Sequence, residues 1–273
     1  MKRTLLTIAV ALLAFPALSA VQYEYFQKST AEGSVVPSND LTARVVIDGL
    51  RSRVEFLSGD VYPTGTYVIS TDGSRRLVFV DPGKRWYTEY NTAAVTASLS
   101  PANVKVSNLQ SKSERIPDEK VIAGIPTDHY QMTFSYDITV LYRSMPLKQH
   151  VRTVIDTWTT LKFGEVSRMA FGASLQTGNP EIDQLIELET TKVAGFPMRQ
   201  LVSITMSAAP AGSKSELKRP TSRVITREML VTSIQERPAD PAMFAIPADF
   251  RRADQPAAPK APAQILTLEP TGK

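Results

Sequence analysis

The chain has no cysteine among its 273 residues and only two histidines, His129 and His150. The first absence excludes disulfides and a lipid-anchoring cysteine behind a leader. The second leaves too few soft or imidazole ligands for a zinc or copper site, so no metal is expected. There is no phosphate loop, no Gly-x-Gly-x-x-Gly turn and no Gly-x-Ser-x-Gly elbow, so no cofactor is expected either. No stretch reaches the roughly 20 consecutive apolar residues that span a bilayer as a helix. Strong charge of one sign is also missing: the net charge is +4, and Lys2 and Arg3 supply part of that excess. The basic pairs Arg75-Arg76 and Lys84-Arg85 sit beside turns, and Lys214, Lys218, Arg219 and Arg223 fall in a polar loop without stacking aromatics. That pattern excludes a broad nucleic-acid footprint.

What is present begins with a leader. Lys2 and Arg3 precede an apolar run over 5–13 and a small-residue stretch ending at Ala20, the pattern of a secretory signal peptide over residues 1–20. Cleavage after Ser19 or Ala20 would release a periplasmic or secreted protein. Residues 21–251 are long enough for one large domain and contain no linker-like stretch. From Arg252 onward the chain turns rich in alanine and proline, which predicts a disordered tail over 252–273.

Between leader and tail, strand signals recur. The clearest is Tyr130, Met132, Phe134, Tyr136 and Ile138 alternating with His129, Gln131, Thr133, Ser135 and Asp137, one buried face and one wet face. Runs at 42–47 and 51–57 flank Asp48-Gly49, runs at 66–71 and 76–80 flank Asp72-Gly73, and Pro82-Gly83 precedes 85–90. These read as successive antiparallel hairpins. Further runs at 21–26, 104–108, 151–158, 201–206 and 224–234 bring the expectation to roughly ten strands. Helices are expected near 92–99 and from Asn179-Pro180, where Ile182, Leu185 and Ile186 form a stripe and Glu181 and Asp183 favour the first turn. Residues 162–177 have no clean period. Val121-Ile122-Ala123-Gly124-Ile125-Pro126 echoes Lys192-Val193-Ala194-Gly195-Phe196-Pro197, and each leads into a strand. Asp240-Pro241 opens a short turn that drops Phe244 and Ile246 onto the core.

No catalytic constellation stands out. His129 falls on the polar strand face and His150 in a connecting segment, as ordinary surface histidines. Ser215-Glu216-Leu217-Lys218 matches Ser-x-x-Lys without its companion motifs. Glu181, Asp183, Glu187 and Glu189 read as the solvated face of a helix. Tyr130, Met132, Phe134 and Tyr136 read either as plain core or as the wall of a ligand cavity.

The run of hairpins with Arg51, Arg53 and Glu55 on one strand, the Tyr67 to Ser70 segment leading to a turn, the two Ala-Gly-apolar-Pro entrances and the terminal Phe244-Ala245-Ile246-Pro247 together resemble the half-barrel of periplasmic lipoprotein carriers. They are similar also to secreted bacterial domains of unknown function related to outer-membrane-lipoprotein sorting. The resemblance implies a mainly β (α+β) fold: a strongly curved antiparallel sheet with one or two helices covering its concave side. It also implies an apolar cavity suited to acyl chains. The expected function is that of an exported, non-enzymatic cell-envelope protein binding a lipid or other hydrophobic ligand, with Tyr130, Met132, Phe134 and Tyr136 as wall residues. The alternatives are an envelope interaction or scaffold protein with a filled core, engaging a protein partner, and last an exported hydrolase with an unrecognised carboxylate site.

Overall fold

A computed structural model describes residues 20–31, 40–92, 104–142, 145–163, 166, 179–210 and 222–253. The leader up to residue 19, all but Thr92 of the helix expected near 92–99, the Ser-x-x-Lys tetrapeptide and the tail from 254 lie outside the described residues, as do most of 162–177. The strands are β1 (Ala20–Ala31), β2 (Leu41–Asp48), β3 (Arg51–Gly59), β4 (Tyr67–Ser70), β5 (Arg76–Asp81) and β6 (Trp86–Asn91), then β7 (Val104–Ile122), β8 (Ile125–Tyr142), β9 (Met145–Thr160), β10 (Phe196–Pro210), β11 (Ser222–Arg237) and β12 (Arg251–Arg252). The helix α1 (Pro180–Thr190) lies between β9 and β10. No helix among the described residues is long and apolar enough to cross a membrane.

All twelve strands belong to one open sheet, ordered β12-β6-β5-β4-β3-β2-β1-β11-β10-β9-β8-β7. The sequence signals gave roughly ten; Arg251–Arg252 is too short to show any alternation, and it pairs in parallel with Trp86 and Tyr87 at the sheet edge. Two meanders account for the order. One runs from β1 to β6 and the other from β7 to β11, and β1 joins them by pairing with β11 from Ala20 opposite Arg237 to Ala31 opposite Ile225. The first described residue, Ala20, is therefore already in the ladder, and it is only 1% exposed.

The second meander is built of long strands. Sequence signals reveal only part of each, because the remainder carries mixed residues: they mark β7 only over 104–108, and the strand contains Pro117 and has register shifts between Ser107 and Gln110 and between Ile116 and Lys120. The two echoing entrances have different jobs. Ala123 (φ +49°) and Gly124 (φ +76°) form the two-residue turn between β7 and β8, where both positions need positive φ. Gly195 (φ +99°) instead brings the chain from α1 into β10 so closely that a Cβ there would meet the Thr160 carbonyl oxygen at 2.6 Å.

The C-terminal segment folds back over the first meander. Asp240 caps a short 3₁₀ turn over Pro241–Phe244, accepting from the Ala242 N–H at 2.9 Å. Phe244 packs with Ala20 and Val46, while Ile246 and Phe250 pack on Tyr67, Ile69, Val78 and Val80. The Arg51 guanidinium sits over the Phe244 ring at 5.0 Å, and Arg53 donates to the Met243 carbonyl at 3.2 Å. The turn inferred from Asp240-Pro241 is present and docks as expected.

Candidate functional site

Directly opposed residues of an antiparallel ladder share a face. Tyr130, Met132, Phe134 and Tyr136 lie opposite Thr157, Ile155, Thr153 and Val151 of β9, which lie opposite Gln200, Val202, Ile204 and Met206 of β10. The four predicted wall residues therefore belong to one apolar panel three strands wide. Helix α1 covers it. Asn179 caps the helix, its Oδ1 accepting from the N–H groups of Glu181 at 3.0 Å and Ile182 at 3.2 Å, and Pro180 opens the first turn. Ile182 packs with Tyr136, Val151 and Met206, whereas Leu185 and Ile186 pack with Met132, Phe134, Ile155 and Val193. Met132 is 0% and Phe134 2% exposed. The far end of α1 is tied to β7 by Glu189, a residue expected on the solvated face and instead buried: its Oε1 accepts from Ser111 Oγ at 2.8 Å and Lys192 Nζ at 2.8 Å. Burial opposes its ionisation, but these donors outweigh it and hold the carboxyl below its usual range.

The same face continues into the first meander. Gln200 lies opposite Met229, and two residues on Val231 lies opposite Tyr25, which faces Ala43 and then Phe56. There the face becomes aromatic. Tyr62 is stacked on Phe56, with ring centroids 4.1 Å apart and planes 17° apart, and is 5.9 Å from Phe79, which is itself 5.9 Å from Trp86. Tyr62, Phe79, Trp86 and Tyr90 are half-buried. Burial first and the neighbouring Tyr62 second push the Tyr25 hydroxyl up to about 12, and the same two causes raise Tyr90. Thr88 lies opposite Phe79 on this face, is 1% exposed, and its Oγ1 has no hydrogen-bond partner among the described residues. Sequence reading missed this row because its members come from β1, β3, the β3–β4 loop, β5 and β6, and no single strand shows an aromatic alternation. Two clefts open on the same meander, one lined by Pro63, Thr64, Asp81 and Lys84, the other by Ile69, Val78, Phe244 and Ile246; neither includes the four predicted wall residues.

The opposite face of β8 and β9 is polar and holds both histidines. His129 is buried, against the surface role expected of it: its ring stacks on Trp158 with centroids 4.1 Å apart, and its Nε2 lies 2.9 Å from an Asp156 oxygen that also accepts from Gln131. Lys120 and Arg199 place cations 4.5 and 4.8 Å from the Trp158 ring. His150 lies within β9 rather than in a connection, and its Nδ1 is 2.9 Å from Asp137 Oδ1. Hydrogen bonds from His150, then Lys148, then Asn108 hold the Asp137 carboxyl well below the usual carboxylate range. Among the described residues, no group of three or more histidine, aspartate or glutamate side chains is placed to hold a metal ion.

No family model matches the chain, and no curated protein matches it. Among solved structures it is similar to the crystal structure of a LolA superfamily protein from Nitrosomonas europaea, at 11% identity, covering 85% of this chain and 91% of that one, with a TM-score of 0.31. A superposition that loose decides neither family nor function.

Proposed function

We propose that the chain is an exported cell-envelope protein that binds a lipid or other hydrophobic ligand on the apolar face of its sheet. The aromatic row Tyr62, Phe79, Trp86 and Tyr90, backed by the buried Phe56, is the contact surface, and Tyr130, Met132, Phe134 and Tyr136 form the wall that continues it under α1. One observation carries this reading: the face is continuous from β6 to β8, α1 packs over its β8–β10 end, and at the other end Tyr62, Phe79, Trp86 and Tyr90 keep part of their surface accessible. Large rings each offer about 150–250 Å². An acyl chain laying ten methylenes on them gains about 8 kcal/mol before ordering costs. Binding on such a surface needs no reactive group. The leader motif supports export, and the absence of cysteine supports release without a lipid anchor.

The test is native mass spectrometry of protein exported by its natural host, followed by titration with lauric acid while tryptophan emission is read in a Trp158→Phe background, which leaves Trp86 as the emitter. A stoichiometric apolar adduct and a saturable emission change lost in Phe79→Asp support the reading. An adduct-free mass together with a flat titration overturns it. Replacing Phe134 by Asp examines the wall separately: a folded variant with unchanged lipid binding removes those four residues from the site.

The full burial of Met132 and Phe134 favours a second reading, an envelope interaction or scaffold protein whose sheet face is filled by its own side chains. A flat lauric acid titration alongside co-purification of a single envelope protein in stoichiometric amount would select it.

A further inference from the structure

The polar face of the β8–β9 hairpin carries a group of residues that the hydrophobic site does not use. Asp137 lies directly opposite His150, and Ser135 directly opposite Arg152. The two-residue period of each strand puts all four on one side of the sheet, as a two-by-two block. Within it, Ser135 Oγ is 3.3 Å from His150 Nε2, and His150 Nδ1 is 2.9 Å from Asp137 Oδ1. Asp137 is buried, and its other oxygen accepts from Asn108 Nδ2 at 2.6 Å and Lys148 Nζ at 2.9 Å. An ionised carboxylate can only accept, so it fixes the ring proton on Nδ1 and leaves the Nε2 lone pair facing the serine hydroxyl. The side chain of His150 is half exposed and Ser135 is half-buried, so solvent and a small molecule reach the serine oxygen.

We propose that Ser135, His150 and Asp137 form a nucleophile relay that cleaves short carboxylic esters, with Arg152 facing the oxyanion. His150 Nε2 takes the hydroxyl proton as Ser135 Oγ bonds to the ester carbonyl carbon. The carbon–oxygen bond to the alcohol then breaks, and the same proton leaves on the alcohol oxygen. Water repeats the sequence on the acyl-serine, giving the acid and regenerating the hydroxyl, so the net reaction is ester plus water to acid plus alcohol. Asp137 is the positioning residue, and its three donors keep it ionised while His150 carries the transferred proton. Arg152 is exposed and forms no ion pair among the described residues, which leaves its guanidinium available for the charge that develops on the carbonyl oxygen. The surrounding surface is mostly polar, with Thr133, Ser203 and Thr205 beside the single aliphatic Val154 of the same face, so it suits short acyl groups and not the long chains of the opposite face. This activity is independent of hydrophobic-ligand binding.

The experiment treats the full exported protein with a fluorophosphonate and with p-nitrophenyl acetate, and locates adducts by peptide mass spectrometry. The expected result is a phosphonyl and a transient acetyl group on Ser135, both absent in Ser135→Ala. Labelling should slow about 100-fold or more in His150→Ala, the scale of a positioned general base, and added imidazole should restore it there but not in Ser135→Ala. Asp137→Asn should slow labelling with Ser135 still the only site. Because His150 is half exposed, its removal should leave the unfolding temperature within a few degrees of wild type, so a loss of labelling is not a loss of fold. No adduct on Ser135, or an adduct forming at the wild-type rate in His150→Ala, overturns the proposal.

Discussion

Phe134→Ala is the perturbation that best separates a packed wall from an open one. Phe134 is 2% exposed and sits among Met132, Ile155 and Val193, with Leu185 and Ile186 of α1 closing over it. Emptying such a site costs both the transfer of the ring and the cavity left behind, about 3–5 kcal/mol for Phe to Ala. A chain of this size has about 5–15 kcal/mol in total, so roughly a third of its stability is at stake. With about 2–4 °C lost per kcal/mol, the unfolding temperature should fall by about 6–20 °C. Urea unfolding followed by circular dichroism should show the midpoint shifting with an unchanged slope, since the surface exposed on unfolding is nearly the same. Phe79→Ala, on the half-buried aromatic row, should cost roughly half as much because part of its ring is already in water. If Phe134→Ala lost less than about 1 kcal/mol, or no more than Phe79→Ala, α1 would not be packed on this panel and the placement of the wall beneath it would be wrong.

Three further outcomes follow from named contacts. Asp137 has its carboxyl held below the value it would have unfolded, so the unfolded chain binds the extra proton: the stabilisation is present above about pH 4 and is lost as pH falls below it. Asp137→Asn should therefore flatten the acid limb of a stability–pH curve, and an unchanged limb would contradict the hydrogen bonds assigned to that group. Gly124→Ala should cost about 1 kcal/mol from its positive φ alone, since no atom lies within 4 Å of the added carbon, while Gly195→Ala should cost clearly more because the Thr160 carbonyl must shift; equal unfolding midpoints would refute the difference. N-terminal sequencing of exported protein should begin Ala20-Val21-Gln22, because Ala20 is buried and paired opposite Arg237; a start at Val21 would mean that the ladder forms without it.

The β8 alternation was legible because a single strand with one buried face writes its period directly into the sequence, and Tyr130, Met132, Phe134 and Tyr136 share the face it indicated. Helix α1 was legible through Asn179-Pro180 and the Ile182, Leu185, Ile186 stripe. Register was not, since it depends on which strands meet, and the relation of Ser135 and Asp137 to His150 exists only once β8 and β9 are aligned. His129 looked like a surface residue because alternation gives a face but not what covers it, and Trp158 comes from the neighbouring strand. The aromatic row escaped notice for a similar reason: each of its strands contributes one or two rings, and only the sheet assembles them. The two Ala-Gly-apolar-Pro entrances looked equivalent, yet one is a hairpin turn and the other a close approach to Thr160, a distinction made by the neighbouring chain and not by the tetrapeptide.

The seam between β1 and β11 has a consequence for how such a chain is made. Every other long pairing joins strands that follow one another, but Gln22 and Arg237, 215 positions apart, must find each other before the two meanders become one sheet. Contacts of that separation form late, after the entropy of closing the whole loop has been met. A polypeptide that emerges from a translocation channel amino end first would present β1 long before its partner exists. Until then that strand can pair only with β2 and shows an unpaired edge bearing Tyr23, Tyr25 and Phe26, the kind of edge that recruits other chains. The interval between the appearance of β1 and the arrival of β11 is thus the period in which this protein is most exposed to misassociation, and under the proposed export its yield should respond to the rate of translocation more than to the stability of the finished sheet.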